Sequence, residues 1–335
     1  MKKRNLILGT LLATTILGTP IFAEAKAEVV EDPVIATSTV TYLGKDSLKN
    51  QPKSLLKDSA IPDLINTVQL ENSGADISAT PIFSPYSNIP KGDVTAKTIK
   101  ALYPTAASLK TYKITGENLK KYLELSVSYY NQLKNGDLTI SFANTDVTNL
   151  DFFSGINYTI KIKNEVGNRI IKLTKDTVEI KPEDVFTIAI NSNKAIELLD
   201  KEIIKTEDIV STSEKTIQEL LVDYVTNKEL KGEIDGNWSL HTVPDVSTEE
   251  HKAIQYLVDN KFLQAPGSKK EVPTTSLNIN DDINSEANKN LLNSITDSAI
   301  KSEISTMIDN GKIKTAGKLY IESQILLDCG CGVDF

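Results

Sequence analysis

Two periods of apolar residues alternate along the chain. In some segments apolar residues recur every three to four positions, as on one face of an amphipathic helix. These predicted helices cover residues 61–70, 95–103, 116–133 and 213–225. Elsewhere apolar and polar residues alternate, as in half-buried strands. These predicted strands are residues 109–115, 158–162 and 169–173, the last two joined as a hairpin through Gly167. The uninterrupted apolar run 185–190 predicts a central strand, and the mixture indicates an α/β (α+β) fold.

The N-terminal residues have the pattern of a secretory signal peptide. Lys2, Lys3 and Arg4 precede an apolar stretch broken by Gly and Pro, and small residues allow cleavage after Ala25. The alternative, an uncleaved membrane anchor, is disfavoured because this stretch is short for a span of about 20 residues. No later segment is apolar enough to span a membrane. We therefore expect an exported protein, secreted or at the cell surface, with no membrane span after cleavage.

Composition divides the chain into four segments. They are the predicted signal peptide 1–25, a polar leader or linker 26–58 with an edge strand around 38–42, a main domain 59–242, and a small, mostly helical tail 243–335. The tail begins where Pro244 and Asp245 interrupt the pattern. Residues 247–250 form a capping-box pattern that predicts a helix start. Further short helices are expected at 285–310, after a linker at 264–282.

Charge and arginine content restrict the possible partners. The formal net charge is −8, and removal of residues 1–25 leaves about −10 because that segment carries three basic side chains and one acidic one. Nucleic-acid binding relies on Lys and Arg that neutralise phosphates, so an acidic chain without a basic patch is not expected to bind nucleic acid. Arg169 is the one arginine outside the signal peptide. An arginine cluster that grips polyphosphate is therefore excluded.

The two cysteines, Cys329 and Cys331, are candidates for redox or disulfide chemistry. Export exposes them to an oxidising environment, but a disulfide between them closes too small a loop to hold the fold together. A redox-active or processed tail, pairing with another chain, a metal site and an incidental tail all stay open. The metal site is disfavoured because zinc prefers four ligands, and no histidine or further cysteine lies nearby.

An ordered set of short motifs runs through the main domain. The motifs are Asp63–Leu70 (DLINTVQL), Ser73–Ala79 (SGADISA), Ile89–Thr95 (IPKGDVT), Thr115–Leu123 (TGENLKKYL), Gly155–Tyr158 (GINY), Val166–Ile170 (VGNRI) and Asn237–Trp238 (NW). In this order they resemble the C-terminal domain of bacterial 5′-nucleotidases, above all the branch of 2′,3′-cyclic-nucleotide 2′-phosphodiesterases. The resemblance covers a little over half of the chain and implies a mixed sheet flanked by helices.

The resemblance also implies what this chain lacks. In the family, a catalytic domain N-terminal to this one holds two metal ions through Asp, His and Asn ligands. Only residues 26–60 separate the signal peptide from the matching domain, and the sole histidines, His241 and His251, lie beyond it. We therefore expect no catalytic residues, no metal site and no cofactor, and interpret both histidines as surface residues.

The family clamps a nucleoside base between two aromatic rings. Phe153, two residues before Gly155, matches one ring, and Phe152 is its neighbour; a core aromatic is the equal alternative for Phe153. Where the family has its second ring and a glycine-rich turn, this chain has Asn191, Asn193 and Lys194, followed by residues that predict a helix over the former pocket. Phe152, Phe153, Asn191, Asn193 and Lys194 are therefore the candidate ligand-binding residues, in a degenerate pocket.

These observations predict an exported protein that is not an enzyme by itself, related to nucleotide catabolism through family resemblance alone. Two alternatives stay open. The chain could bind a nucleoside or nucleotide as the partner or separated subunit of a 5′-nucleotidase-type hydrolase whose metallophosphatase domain is a separate chain. It could also be a cell-surface interaction protein.

Overall fold

The computed structural model describes residues 32–42, 52–241, 243–264 and 272–330. The predicted signal peptide and Cys331 lie outside the described residues, as do parts of the leader and of the predicted linker. The strands are β1 (Val34–Ser38), β2 (Ile77–Pro81), β3 (Gly92–Thr95), β4 (Ser108–Thr115), β5 (Asp151–Ser154), β6 (Asn157–Ile160), β7 (Ile170–Lys175), β8 (Val178–Glu179), β9 (Val185–Asn191), β10 (Ile209–Thr216), β11 (Glu229–Leu230) and β12 (Trp238–Leu240). The helices are α1 (Ala60–Ser73), α2 (Ala96–Leu102), α3 (Gly116–Val127), α4 (Ser192–Asp200), α5 (Ile217–Val225), α6 (Glu249–Asp259), α7 (Glu286–Ser294), α8 (Ser298–Asp309) and α9 (Ala316–Cys329).

A five-stranded mixed sheet forms the centre of the main domain, in the order β10-β4-β9-β2-β5. The predicted apolar strand is β9, which lies between antiparallel β4 and parallel β2. Both of its faces are covered, because Ile188 and Ile190 join the apolar cluster of α3 and α4 while Ala189 joins that of α1, α2 and α5. Burial on two sides explains why this strand is uninterrupted by polar residues.

Two smaller sheets flank the central one. In the first, β1 lies between antiparallel β3 and parallel β11; the second has the strand order β12-β6-β7-β8. β6 and β7 form the predicted antiparallel hairpin, with Gly167 at a positive φ of 88°. The edge strand predicted around 38–42 is instead β1, which lies earlier in the chain and is the central strand of its sheet. Tyr42 forms an isolated bridge with Ile89.

Threonine caps set the start of several helices. Thr95 and Thr115 accept hydrogen bonds from the Thr98 and Asn118 amides, which satisfies otherwise unpaired donors at the starts of α2 and α3. The prediction for 116–133 is too long, because α3 ends at Val127. There Arg169 Nη1 donates to the carbonyls of Val127, the last residue of the helix, and of Tyr130, at 2.9 and 2.6 Å.

The predicted helix start at Ser213 is wrong. Residues 209–216 are the edge strand β10, mostly exposed and antiparallel to β4. The helix begins at Ile217, where Thr216 and Glu219 form a reciprocal capping box. Pairing with β4 is a tertiary interaction, so it overrides a local sequence that is polar and lacks a strand pattern.

The tail contains α6 to α9 and has its own apolar cluster, which also includes Leu138 from the main domain. Thr248 caps α6, one residue after the start of the predicted capping box. α9 was not predicted, because its apolar residues lie on several faces: Leu319 is buried whereas Ile325 is 48% exposed. The interpretation of His251 as a surface residue is wrong, since it is only 6% exposed, whereas His241 is exposed. The boundary near residue 243 stays a prediction.

Candidate functional site

The candidate aromatic residues lie on β5, at the edge of the central sheet, opposite Thr80 and Ala79 of β2. Phe152 and Phe153 are 3% and 1% exposed. The Phe153 ring packs edge-on against Tyr122, with centroids 4.9 Å apart, and against Tyr158, at 5.8 Å. In this conformation neither phenylalanine has a ring face open to a ligand.

The other candidates lie at the start of α4, directly after the central strand. Asn191 is the N-cap of α4, and its Oδ1 accepts a 2.8 Å hydrogen bond from the Lys194 amide. Asn193 is exposed, whereas Lys194 is buried. These three residues line a cleft of about 150 Å³. Ligand pockets usually measure about 300–1,000 Å³, so this cleft is too small for a nucleoside.

The Lys194 ammonium forms a buried ion-pair network. Its Nζ lies 3.0 Å from Asp151 Oδ2 and 2.8 Å from Glu197 Oε2. The side chains of Lys194, Asp151 and Glu197 are 7%, 0% and 34% exposed. Tyr122 Oη donates a 3.0 Å hydrogen bond to the same Asp151 oxygen. The network joins the first residue of β5 to the first turn of α4.

Burial shifts the titration of this network. Desolvation raises the pKa of Asp151, against the opposing effect of Lys194. Burial alone would lower the pKa of Lys194, but the carboxylates of Asp151 and Glu197 raise it above its ordinary value. For the pKa of Asp151, desolvation outweighs the attraction of Lys194. When Asp151 is protonated, Lys194 still has Glu197 as a counter-ion. Sequence reasoning missed Asp151, Glu197 and Tyr122; an aspartate that opens an apolar strand was the available signal.

A second polar cluster brings together three carboxylates from distant parts of the chain. Oxygens of Asp58, Asp63 and Asp235 all lie within 4.8 Å of one another, so these are the described residues that could share a cation. Burial first, and then Asp235 and Asp58, raise the pKa of Asp63 to about 8; burial and Asp235 raise the pKa of Asp58 to about 6. Both groups are protonated only below about pH 6, and between about pH 6 and 8 Asp63 alone keeps its proton.

The carboxylates of this cluster also hold the chain segment that leads into β12. The Asp235 amide donates to Asp63 Oδ2 and the Asn237 amide to Asp58 Oδ2, both at 3.1 Å. A cleft of about 340 Å³ lies beside Asp63 and Asp235, with Tyr42 and Tyr224 also in its lining. The cluster therefore connects the start of α1 to residues 235–237.

The comparison with protein families identifies most of the main domain. Residues 34–195 match the family model described as 5′-nucleotidase, C-terminal domain. The segment is a 5′-nucleotidase C-terminal domain. The matched segment contains Phe152, Phe153, Asp151 and Lys194. It ends within α4, before Glu197.

Relatives of the 5′-nucleotidase C-terminal domain are found among known proteins. The trifunctional nucleotide phosphoesterase protein YfkN of Bacillus subtilis is 28% identical over 174 residues, 47% of this chain and 12% of the relative. The 2′,3′-cyclic-nucleotide 2′-phosphodiesterase/3′-nucleotidase of Haemophilus influenzae is 27% identical over 176 residues, 46% of this chain and 26% of the relative. The chain therefore spans only a small part of these relatives.

Two crystal structures share the fold. One is a Staphylococcus aureus protein assigned as a 5′-nucleotidase, in complex with α-ketoglutarate, with a TM-score of 0.53 and 20% identity over 62% of this chain and 41% of that one. The other is a 5′-nucleotidase precursor from Thermus thermophilus, with a TM-score of 0.51 and 20% identity over 63% of this chain and 40% of that one. At this identity the likeness establishes the mixed α/β fold alone.

Arg169 of the 5′-nucleotidase C-terminal domain has a structural role. It is 1% exposed, and its guanidinium donates to main-chain carbonyls at the end of α3. Glu124 of α3 completes the contact by accepting from the Arg169 and Ile170 amides, at 3.0 and 2.7 Å. The side chain best suited to grip a phosphate is thus turned inward.

Cys329 is the last residue of α9. The other candidate of this pair, Cys331, lies outside the described residues. No helix in the described part of the chain combines the length and the apolar character that a membrane span requires.

Proposed function

We propose that this chain is an exported, non-catalytic protein in which a 5′-nucleotidase C-terminal domain serves as a scaffold or weak binding module with a closed nucleoside pocket. The observation that carries the proposal is α4, which Lys194 anchors to Asp151 beside Phe153. The link to nucleotide catabolism rests only on the family, because the names of its two relatives describe enzymes that act on nucleotides.

The packing around α4 supports a closed pocket. Ala195 and Leu198 are fully buried in the same apolar cluster as Phe153. Opening a nucleoside-sized space would require withdrawal of these side chains and rupture of the Lys194 pairs. Removing one partner from a buried ion pair costs about 3–5 kcal/mol, which a weakly bound ligand does not supply.

Export rests on the N-terminal pattern. Lys2, Lys3 and Arg4 before a short apolar stretch, with small residues up to Ala25, favour cleavage and release to the outside of the membrane. Mass spectrometry of the protein recovered from the growth medium or cell surface would test this. A mature chain that begins after Ala25 is the expected result, and a chain retained inside the cell would contradict it.

Ligand binding is tested by thermal shift of the purified protein with adenosine, AMP and 2′,3′-cyclic AMP. A ligand present at about 100 times its dissociation constant stabilises by about 2.7 kcal/mol, whereas we expect no shift at millimolar concentrations. A shift lost in Phe153→Leu but kept in the matched control Phe152→Leu would contradict the closed pocket and favour a nucleoside-binding partner chain.

Catalysis is tested separately, with the same nucleotides in the presence of Mn²⁺ or Zn²⁺. We expect no hydrolysis by the isolated chain. Metal-dependent hydrolysis that persists through repurification would overturn the non-catalytic proposal. Activity that appears only after addition of a metallophosphatase chain would support the separated-subunit alternative instead.

A further inference from the structure

The Lys194–Asp151 pair is distinguished by its isolation from water. Its members are 7% and 0% exposed. By contrast, the side chains of Lys215 and Asp223 are 61% and 56% exposed although their charged atoms lie 2.7 Å apart. A primary amine is therefore held against a carboxyl group in a dry setting, with contact geometry fixed by β5 and α4.

A third group completes this arrangement. Glu197 Oε2 lies 2.8 Å from Lys194 Nζ, one turn further along α4, and its side chain is 34% exposed. It therefore lies within hydrogen-bond reach of the amine, as a group that takes a proton from it must. Tyr122 Oη donates to Asp151 Oδ2, whereas Asp151 Oδ1 is buried without a hydrogen-bond partner among the described residues.

We propose that Lys194 and Asp151 become joined by an intramolecular amide bond, with Glu197 as the proton-transfer group. The modification site is formed by the chain itself and needs no co-reactant. The reaction is the condensation of an amine with a carboxylic acid, and its by-product is one water molecule.

The condensation begins with a proton transfer from the Lys194 ammonium to Asp151 Oδ2, 3.0 Å away, which leaves a neutral amine beside a neutral acid. The Nζ lone pair then attacks Asp151 Cγ, and the negative charge develops on Oδ1. Glu197 takes a proton from the attacking nitrogen and delivers it to the hydroxyl on Oδ2, to which Tyr122 Oη also donates. The Cγ–Oδ2 bond breaks, water leaves, and the Nζ–Cγ amide remains.

Burial favours the neutral pair, although the carboxylates of Asp151 and Glu197 raise the pKa of Lys194 and oppose the first proton transfer. Separated charges are costly in a low-dielectric interior, so the neutral amine and acid are accessible there in a way that they are not in water. Desolvation also raises the pKa of Asp151, which favours its neutral acid form. Fixed contact replaces a bimolecular encounter by an intramolecular one. The rings of Tyr122 and Phe153, 4.9 Å apart, pack next to Asp151 and limit the access of water that would reverse the reaction.

The experiment is intact-protein mass spectrometry of the full mature chain, after reduction so that the cysteines do not alter the mass. The expected mass is lower than that of the sequence by one water. Tryptic digestion should yield a branched peptide that joins residues 135–161 to 176–201 and lacks cleavage after Lys194. The peptide of the exposed Lys215–Asp223 pair should be unmodified. A wild-type chain of full mass, with linear peptides that contain Asp151 and Lys194, would overturn the proposal.

Three variants separate the amide bond from other losses of water. Lys194→Arg keeps the charge but should restore the full mass. Glu197→Gln lies on the partly exposed side of α4, should fold, and should also give the full mass or slow the change at least about tenfold. Asp151→Asn can still react, but it should lose ammonia instead of water. A loss of water located instead at Asp235–Gly236, where a cyclic imide could form, would contradict the proposed bond.

Discussion

Arg169 uses its guanidinium on the main chain, although arginine is the side chain best suited to phosphate. Its Nη1 donates hydrogen bonds to the carbonyls of Val127, the last residue of α3, and of Tyr130, three residues beyond it. The same holds for Asn191, whose side chain caps α4. At the scale of single residues, both polar side chains bond to the main chain of the protein itself.

Replacing Arg169 by Met should therefore destabilise the protein without changing any ligand response. The loss removes hydrogen bonds from a charged donor to buried carbonyls, at about 1.5–3 kcal/mol for such a bond. Urea unfolding of Arg169→Met should show a loss of about 2–4 kcal/mol. The exposed neighbour Lys172, changed to Ala, is the control and should stay within about 0.5 kcal/mol of the parent. Equal stability of both variants would contradict the structural role.

The Asp58–Asp63–Asp235 cluster predicts a stability that falls as pH rises. Because the folded-state pKa of Asp63 is raised to about 8, its stabilising contribution is complete below the unfolded value near about 4 and is lost as pH rises through about 8. Asp58, with a pKa of about 6, acts in the same direction. Each pKa unit corresponds to about 1.4 kcal/mol at most, less where solvent screens the group.

Asp63→Asn should thus flatten the pH dependence of unfolding between about pH 5 and 9, which spans the two raised pKa values. At the alkaline end we expect the variant to be more stable than the parent by about 1–3 kcal/mol. Denaturant unfolding at several pH values measures this, with the exposed Asp93→Asn as control. A steeper pH dependence in Asp63→Asn would exclude the proposed titration.

At the scale of elements, α4 stands where the family resemblance implies a glycine-rich turn. It follows the central strand directly, and its N-cap, buried lysine and apolar residues each fix its position. Removing the cap by Asn191→Ala should cost about 1 kcal/mol, up to about 2. Asn193→Ala, two residues along and exposed, is the matched control. Thermal unfolding that ranks the two variants equally would show that the cap does not hold α4.

Elements with a local signal could be predicted from the sequence, and those set by distant partners could not. β9, α1 and the cap of α3 follow from apolar patterns and a threonine. β10 could not be predicted, because only its pairing with β4 makes a polar segment a strand. The same reason hid the site: Lys194 was a candidate, but its partner Asp151 lies far away in sequence and is brought near by the order of β9, β2 and β5.

At the scale of the whole molecule, the tail and the main domain share buried contacts. Leu138 belongs to the apolar cluster of the tail. The Leu138 amide donates to the Leu277 carbonyl, and the Leu277 amide donates to Thr139 Oγ1. His251 of α6 lies in the same region, where burial lowers its pKa despite a hydrogen bond to the Leu138 backbone. The two parts should therefore unfold with a linked response to pH.

His251 predicts a loss of stability at acid pH, opposite in sign to that of the carboxylate cluster. Since its folded-state pKa is depressed, its contribution is present above the unfolded value near about 6.5 and is lost as pH falls through the folded-state value. His251→Gln should lessen the acid sensitivity, by about 1 kcal/mol near about pH 5. His241→Gln, at an exposed position, is the control. Tryptophan fluorescence and circular dichroism during acid titration would measure both, and an identical acid response would contradict burial of His251.

The pairing of β10 with β4 has a practical consequence for work with this protein. The family match ends at residue 195, but β10 begins at Ile209. A fragment expressed only to the family boundary would leave one side of β4 without its neighbour, and an unpaired strand edge is a template for aggregation. β12, which ends at Leu240, pairs with β6 and closes the smaller sheet. Soluble expression of the domain therefore requires a fragment that extends at least to that residue.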